Sequence, residues 1–213
     1  MLEKRRYEMK RRAEQFGETR RRITEATVEL HRTIGPAATT ISEVARRAGV
    51  QRVTVYSHFP DEAALFVACS QHWRALHPAP DPTAWRATPD AGERLRLGLG
   101  QLYAWYRETD PMTTNVLRDA PHLPALREVV DQGLGRYLEA ARGVLAEPFR
   151  ARGRRRARVR AALEAIVDVF TWGHLSALGD DEAAELGARL VEAAAESTSA
   201  ARPSPRDPAR TRR

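Results

Sequence analysis

Residues 39–59 read Thr-Thr-Ile-Ser-Glu-Val-Ala-Arg-Arg-Ala-Gly-Val-Gln-Arg-Val-Thr-Val-Tyr-Ser-His-Phe and predict two short helices joined by a tight turn. Thr40 can cap the first helix, and Glu43 can reach back to the Thr40 amide to complete a capping box. Gly49 stands where a left-handed C-terminal cap favours a residue without a side chain. Helix, Gly-containing turn and helix is the pattern of a helix-turn-helix.

The two helices have apolar faces and leave a polar face for a partner. The first helix carries its apolar residues at helical spacing, at Ile41, Val44, Ala45 and Ala48. The second helix runs from about Gln51 to His58 and turns Val55 and Phe59 inward. In a helix-turn-helix this second helix lies in the major groove of DNA. We therefore expect DNA contacts from Thr40, Gln51, Arg52, Val53, Thr54, Tyr56 and His58.

Residues 18–76 resemble the DNA-binding domain of the TetR family of one-component transcriptional regulators. The motifs that carry the resemblance are Ile23, Ala26, Leu30 and Gly35, then Thr39-Thr40-Ile41, Val44-Ala45, Ala48-Gly49-Val50, Val55-Tyr56, His58-Phe59-Pro60 and Leu65. The resemblance implies a regulator that binds a palindromic double-stranded DNA operator as a homodimer. It also implies that a small effector relieves repression, and that Arg52 reads base edges while Thr40, Tyr56 and His58 contact phosphates.

Three positions depart from the family pattern. Gln51 stands where a small capping residue is common, and Val53 where glycine is common. Glu62 replaces a lysine that meets a phosphate in many relatives. Glu62 suits the positive end of a helix dipole but repels a phosphate. These departures leave open an alternative in which a TetR-like protein has lost specific DNA binding and acts through protein or ligand interactions.

The charge distribution supports a nucleic-acid partner. Residues 1–60 hold 13 Lys and Arg against 7 Asp and Glu, whereas residues 61–199 hold 17 against 20. Because neutralised phosphates dominate DNA affinity, positive charge beside a helix-turn-helix points to DNA. Residues 1–17 form a predicted basic arm, which is either solvated or bound along the DNA backbone or minor groove. Residues 198–213, with 5 Lys and Arg in residues 200–213, are expected to be a disordered basic tail.

Helical periodicity continues through the rest of the chain, and the expected class is all-α. We expect the helix-turn-helix domain at 18–60, a connecting helix at 61–76 and a helical effector-binding and dimerisation domain at 77–197. A Pro-rich connection, 77–89, marks the predicted domain boundary. Further helices are expected at 89–109, 122–146, 155–178 and 180–196, with a short piece around 112–119 after the first of them. The connecting helix is expected to be the only link between the two domains.

The middle helices are expected to hold a small lipophilic or aromatic effector, because family members bind theirs there. The candidate ligand residues are Tyr103, Trp105, Tyr106, Met112, Asn115, Leu117, His122, Tyr137, Phe170 and His174. Asp168 is a further candidate, either as the partner of a cationic ligand or as a surface residue. The last two helices supply apolar and small residues that suit either the core or a dimer interface.

Several classes of site and location are not expected. The single cysteine, Cys69, excludes an intramolecular disulfide and fits a reducing cytoplasm. No Cys/His spacing suits zinc, and we expect no metal, cofactor or membrane association. No catalytic constellation can be assembled, so an all-α enzyme is the remaining alternative and a non-enzymatic regulator the expectation.

Overall fold

A computed structural model of the chain describes residues 2–196, with side chains from residue 5 onward. Within that part of the chain the regular structure is helical and contains no strand, in agreement with the all-α class. The N-terminal helices are α1 (Leu2–Thr33), α2 (Ile41–Ala48), α3 (Arg52–His58) and α4 (Glu62–Leu76). The helices that follow are α5 (Ala91–Thr109), α6 (Met112–Asp119), α7 (Pro124–Val130), α8 (Arg136–Ala146), α9 (Gly153–Ile166), α10 (Val169–Leu175) and α11 (Asp180–Glu196). The predicted tail at 198–213 lies outside the described residues.

The predicted basic arm is part of the first helix. α1 is a single helix of 32 residues, so residues 2–17 continue the helix that packs in the N-terminal domain. The interpretation of residues 1–17 as a separate or extended arm is therefore corrected for residues 2–17. Acidic and basic residues at helical spacing, such as the Lys10–Glu14 ion pair at 3.9 Å, favour this continuation.

The caps of α2 form largely as the sequence predicts. The Thr40 hydroxyl accepts a hydrogen bond from the Glu43 amide at 3.2 Å. Gly49 ends the helix with φ of +65°, in the left-handed region that favours glycine. The reciprocal half of the capping box is absent, because the Glu43 carboxylate pairs with Arg46 one turn further along the helix. A charged partner at i+3 competes with the uncharged Thr40 amide for this carboxylate.

The N-terminal domain has its own apolar core. Ile23 and Leu30 of α1 pack with Val44, Val55 and Phe59 from α2 and the end of α3. α4 closes the same cluster with two further buried residues, Leu65 and Cys69. These positions agree with the apolar faces predicted from the sequence. As a result, α3 is fixed by its inner side and its outer side remains open.

The larger domain is built around α5. Its stripe of Leu95, Leu99, Leu102, Tyr103 and Tyr106 is fully buried, as the spacing predicts. α9 and α11 supply the opposing apolar residues. A Cβ on Gly187 of α11 would lie 3.0 Å from a Leu99 methyl carbon and 2.8 Å from a side-chain carbon of Ile166. Only a residue without a side chain lets these helices approach so closely.

The predicted Pro-rich boundary is not a loose linker. Residues 82–87 form a 3-10 turn, and its Trp85 is buried in the main core. The Trp85 indole N–H donates to the side-chain oxygen of Gln101 at 2.8 Å. The connection is therefore held to α5 through Trp85.

Two of the predicted long helices are interrupted. The helix expected at 122–146 begins at Pro124, and Asp131–Gly135 form a π-helical turn between α7 and α8. The helix expected at 155–178 begins at Gly153 and breaks after Ile166. Asp168 caps α10 by accepting a hydrogen bond from the Thr171 amide at 2.9 Å. Asp168 is therefore exposed and used as a cap, and a ligand partner is not its role in this fold.

Two elements, and not α4 alone, connect the N-terminal domain to the larger domain. α6 packs beside the C-terminal end of α1, where the Asn115 amide donates to the carbonyls of His31 at 3.2 Å and Arg32 at 2.9 Å. The Asp119 carboxylate accepts from the Ala37 amide at 2.9 Å in the loop after α1. The expectation that the connecting helix forms the sole link is therefore wrong.

Burial at this junction gives His31 an unusual acidity. Desolvation lowers the pKa of its imidazole from 6.5 to about 4, and the negative charge of Asp119 opposes this shift. In the unfolded chain the imidazole keeps its ordinary pKa, so between pH 6.5 and 4 only the unfolded chain binds the proton. The neutral, buried His31 therefore makes its full contribution to the free energy of unfolding above pH 6.5, and this contribution is lost as the pH falls from 6.5 to about 4.

We expect His31→Gln to make the chain less sensitive to acid. Between neutral pH and pH 4, its free energy of unfolding should fall by up to about 3 kcal/mol less than that of the wild type. Urea titrations at several pH values measure this difference. His174→Gln, at an exposed position, is the matched control and should follow the wild type. Identical pH dependence for His31→Gln and the wild type would contradict the assignment.

Candidate DNA-binding surface and effector cavity

The outer face of α3 is open to solvent. Val53 is 68% exposed and Tyr56 48% exposed, and Gln51 and Arg52 at the start of the helix are also exposed. Thr54 is half-buried, and Thr40 is exposed at the start of α2. The Gln51 side chain makes no capping hydrogen bond, in line with the poorer cap expected from its sequence. Six of the seven predicted DNA-binding residues are thus accessible.

His58 is the exception, and it faces inward. Its ring packs on Phe16 with a centroid separation of 4.0 Å, and its Nδ1 atom is buried without a hydrogen-bond partner among the described residues. Burial, together with the positive charge of Arg20, lowers the pKa of the imidazole. A buried, uncharged ring does not reach a phosphate, so His58 is a packing residue in this structure. The spacing of α3 alone could not reveal this because Phe16 belongs to another helix.

Two arginines of α1 bind backbone carbonyls at the C-terminal ends of the two helices of the helix-turn-helix. Arg20 donates to the carbonyl of His58, and its guanidinium lies 4.1 Å from the centre of the Phe59 ring. Arg22 donates to the carbonyl of Ala48 and, at 3.3 Å, to that of Gly49. These contacts fix the C-terminal ends of α2 and α3. In the sequence both arginines contribute only to the positive charge of the N-terminal region. Their backbone carbonyl partners become apparent only in the folded structure.

The helical extension of α1 adds positive charge next to this surface. Phe16 joins the extension to His58, the last residue of α3. The exposed cationic residues before it are Arg5, Arg6, Lys10, Arg11 and Arg12. Their side chains extend the basic surface of the N-terminal domain beyond the helix-turn-helix.

A mainly apolar cavity of about 240 Å³ lies between the N-terminal domain and the larger domain. Its walls come from α4, α5, α6, α7, the π-helical turn and α8, together with one residue of α1 and one of the connection after α4. The lining residues are His31, Phe66, Cys69, Ser70, Trp73, Arg74, Ala79, Trp105, Met112, Thr113, Val116, Leu126, Val129, Val130, Gly133, Leu134 and Tyr137. This composition is typical of small-molecule sites.

Three of the ten predicted ligand residues line this cavity, namely Trp105, Met112 and Tyr137. Tyr103 and Tyr106 lie in the main core, where their hydroxyls donate to the carbonyls of Ile166 at 2.9 Å and Val167 at 2.6 Å. The remaining five predictions also lie elsewhere. Asn115 holds α1, Leu117 packs against the main core, and His122, Phe170 and His174 are exposed.

Most of the cavity wall was missing from the sequence-based prediction. Phe66 and Trp73 belong to α4 and His31 to α1, which we had assigned to DNA binding and connection. Leu126 and Val129 belong to α7, which has apolar spacing but no aromatic residue. An apolar helical stripe does not distinguish a close-packed core from a cavity wall, since both need the same residue types.

The titratable groups in this cavity are mostly uncharged. Burial lowers the pKa of His31 to about 4 and raises that of the Cys69 thiol to about 12. Burial also raises the pKa of Tyr137, with a further contribution from the charge of Asp81. The Tyr137 hydroxyl is buried and has no hydrogen-bond partner among the described residues. Arg74 is the lining residue that carries a charge at neutral pH.

A second, more polar groove of about 360 Å³ lies between α8 and α9. It carries four arginines and three glutamates, which are Arg142, Arg150, Arg156, Arg160, Glu139, Glu147 and Glu164. Several of them pair with each other, such as Arg142 with Glu139 at 3.0 Å. The apolar cavity is the stronger candidate for a small-molecule site, because such sites are lined mainly by apolar and aromatic side chains and the groove is lined by charged ones.

No group of three or more His, Cys, Asp or Glu side chains in residues 5–196 is arranged to hold a metal ion. No helix within residues 2–196 is long and apolar enough to cross a membrane.

The comparisons with known proteins agree with this geometry. Residues 23–69 match the profile of the bacterial regulatory proteins of the tetR family. The fold resembles that of a TetR transcription regulator from Haloarcula marismortui, with a TM-score of 0.55 and 19% sequence identity over 84% of this chain and 97% of that one. It also resembles the transcriptional regulator FadR from Bacillus subtilis in complex with stearoyl-CoA, with a TM-score of 0.52 and 19% identity over 82% and 97%. No curated protein is significantly similar in sequence.

The matched segment contains the last third of α1, all of α2 and α3 and the first half of α4, which are the elements that build the helix-turn-helix. The whole-chain likeness covers the larger helical domain as well. Residues 23–69 therefore match the tetR family of bacterial regulatory proteins, and the chain shares the fold of two solved transcription regulators.

Proposed function

We propose that the chain is a repressor that binds a palindromic DNA operator as a homodimer and releases it when a small effector occupies the cavity between the domains. The observation that carries the proposal is the open outer face of α3, presented by a family-matched helix-turn-helix on the basic part of the chain. A gel shift with the DNA upstream of the chain's own gene tests it.

The roles on α3 follow from the chemistry of the exposed groups. Arg52 at the start of the helix offers a planar fork that fits the edge of guanine in the major groove. Tyr56 and Thr40 offer hydroxyls of the kind that contact phosphate oxygens. Gln51, Val53 and Thr54 complete the face. The exposed cations of the α1 extension add phosphate contacts beside it.

Arg52→Ala and Tyr56→Phe should have different consequences. Arg52→Ala should cost about 1 to 3 kcal/mol of binding free energy at one base pair and relax the preference there. Tyr56→Phe should weaken operator and random DNA by a similar factor, because a phosphate contact carries no base information. Binding titrations with operator variants at constant salt measure both effects.

Ser57→Ala provides the control, since Ser57 is exposed next to Tyr56 and its hydroxyl donates to the Thr54 carbonyl of its own helix. It should bind operator and random DNA as the wild type does. If Arg52→Ala weakened operator and random DNA equally, Arg52 would be a phosphate ligand and the assigned roles would be wrong.

Several features of the last helices support a homodimer. Phe170, Leu178 and Leu190 are between 42% and 49% exposed and supply apolar surface on α10, on α11 and on the turn between them, of the kind that a second subunit covers. α9 and α11 pack against each other, and Arg155 fastens them by donating to the Ala195 carbonyl at 2.7 Å. Two recognition helices about 34 to 36 Å apart need a two-fold axis. The exposed apolar surface of α11 and its neighbours is available to pack against the same surface of a second subunit across that axis.

We expect Leu190→Arg to dissociate the dimer and leave the fold intact, because Leu190 is exposed in the single chain. A buried, unpaired charge at a two-fold interface is repeated on both subunits and is strongly destabilising. Sedimentation should show a monomer, and operator affinity should fall by at least tenfold. Leu97→Arg places the same charge on α5 at a 40% exposed position and should remain dimeric. A Leu190→Arg chain that sediments as a dimer would exclude this interface.

The cavity supports a small effector. FadR from Bacillus subtilis was crystallised with stearoyl-CoA, which supports ligand binding by a fold of this type. The cavity of about 240 Å³ would not enclose a molecule of that size, so stearoyl-CoA itself is not proposed here. The walls instead favour a compact apolar body.

α6 gives the cavity a direct connection to the DNA-binding domain. One face, with Met112, Thr113 and Val116, lines the cavity, and the adjacent face carries Asn115 and Asp119, which bind the end of α1 and the following loop. A ligand that moves α6 therefore moves the start of the helix-turn-helix. Such a ligand shifts DNA binding only by the difference in its affinity for the two states.

Asn115→Ala should weaken this coupling. In the wild type a cavity ligand should change operator affinity by about 5- to 150-fold, and operator should change ligand affinity by the same factor. In Asn115→Ala the ligand should still bind while that factor moves toward one. Thr114→Ala, which removes a hydroxyl bonded to Asp110 at 2.6 Å on the outer side of α6, is the control. Unchanged coupling in Asn115→Ala would place the connection elsewhere.

The alternative of a TetR-like protein without specific DNA binding rests on specific observations. Val53 and Glu62 are exposed beside the proposed DNA surface, and His58 contributes no contact. If the upstream DNA and random DNA bind equally while the cavity binds ligand, this alternative is the better description.

A further inference from the structure

The cavity between the domains has an unbalanced charge. None of its lining residues is Asp or Glu, and Arg74 is the lining residue that is charged at neutral pH. The other titratable side chains in the wall are His31, Cys69 and Tyr137, all held uncharged by burial. A cation at the rim of an apolar cavity, without a carboxylate in the wall, is complementary to an anion.

The Arg74 guanidinium is positioned at the rim and is available. Its Nε atom donates to the Ser70 carbonyl at 3.3 Å, and it makes no ion pair with another residue of the described chain. A Cβ on Gly133 would lie 3.6 Å from its Nη1 atom, so the guanidinium lies over the π-helical turn that forms part of the wall. The two Nη groups, which donate to no residue of the described chain, form one edge of a planar fork that suits a carboxylate.

Tyr137 supplies a second polar group inside the cavity. Its hydroxyl is buried and lacks a partner among the described residues, which costs free energy that a ligand atom can recover. Asp81 raises the pKa of this phenol, but its carboxylate accepts from the Thr83 amide at 2.9 Å and hydroxyl at 2.8 Å, and it is not part of the wall. The phenol is therefore a neutral hydrogen-bonding group.

Size and wall composition restrict the rest of the ligand. The volume of about 240 Å³ is below the ~300 to 1,000 Å³ typical of drug-sized sites. Four aromatic side chains, Phe66, Trp73, Trp105 and Tyr137, contribute to the wall. Aromatic rings pack against such side chains in offset or edge-to-face arrangements.

We propose that the cavity binds a small aromatic acid, with its anionic group on Arg74 at the rim, its ring among the aromatic walls, and the Tyr137 hydroxyl bonded to one of its polar atoms. This inference rests on the proposed effector role of the cavity and adds the chemical class of the effector. The anion and the ring are recognised by different parts of the site, so each can be tested separately.

Calorimetry on the full chain with naphthoate, naphthylmethanol and naphthylmethylamine tests the proposal, because the three probes share a ring and differ in charge. Naphthoate should bind more tightly than the alcohol or the amine. Arg74→Gln should weaken naphthoate by about tenfold, as expected for loss of a bidentate charge-assisted pair, and change the alcohol by less than twofold. Arg74→Lys should recover part of the loss, since it keeps the charge but not the fork.

Arg136→Gln is the matched control. Arg136 is exposed, directly precedes Tyr137 in the chain and does not line the cavity. Its replacement by Gln removes the same charge as Arg74→Gln does. Equal losses of naphthoate affinity in Arg74→Gln and Arg136→Gln would show a general electrostatic effect and overturn the proposal. Preference for the amine or the alcohol would overturn it as well, and so would failure of naphthoate to bind.

The outcome is separable from that of the proposed function. If naphthoate binds through Arg74 and leaves operator affinity unchanged, the ligand class is supported and relief of repression through this cavity is wrong. If the chain binds its operator specifically but none of the three probes, the DNA-binding role stands and the acid is excluded.

Discussion

Burial of one face of α1 is the constraint on which both domains depend. Ile23 and Leu30 on that face form the centre of the N-terminal core, and His31 near the end of the helix reaches the cavity. The same helix supplies Arg20 and Arg22, which bind the carbonyl ends of α3 and α2. α1 is therefore shared by the proposed reading surface and the proposed ligand site, and a displacement of its C-terminal end reaches both.

In the larger domain, α6 has a similar double role, because it contacts both the cavity and the N-terminal domain. It is a helix of only eight residues, with one side in the cavity wall and the other hydrogen-bonded to α1. Asp119 is buried and paired with Arg118 at 2.7 Å while it accepts from the Ala37 amide. Hydrogen bonds to a buried carboxylate are stronger than those between neutral groups and have defined directions. The junction is thus polar and specific, although it is surrounded by apolar packing.

The cavity depends on the same junction for its walls. α4 packs on α7 on one side, and α6 and the π-helical turn close other sides. A π-helical turn widens a helix locally and is often found at functional sites. Here it brings Gly133 under the Arg74 guanidinium, so the one uncompensated charge of the wall lies where the helix departs from regular geometry.

The sequence alone determined the elements with strong local signals. The Thr40 cap, the left-handed Gly49, the inward Val55 and Phe59 and the buried stripe of α5 all follow from capping chemistry and helical spacing, and the structure confirms them. The family likeness of the N-terminal domain was visible for the same reason, since its motifs lie within a short stretch of chain. The exposed face of α3 was predictable in every position except His58.

Only the tertiary structure decided which surfaces meet. Phe16 of α1 packs on the ring of His58. Asp168 caps the start of α10 directly after the end of α9. The hydroxyls of Tyr103 and Tyr106 donate to the carbonyls at the end of α9. The cavity takes its wall from residues as far apart as His31 and Tyr137, and no local pattern marks them as neighbours. Helical periodicity predicts which side of a helix is buried but not which other helices pack against that side. A binding site is defined by the residues that meet across several helices, so periodicity alone does not identify it.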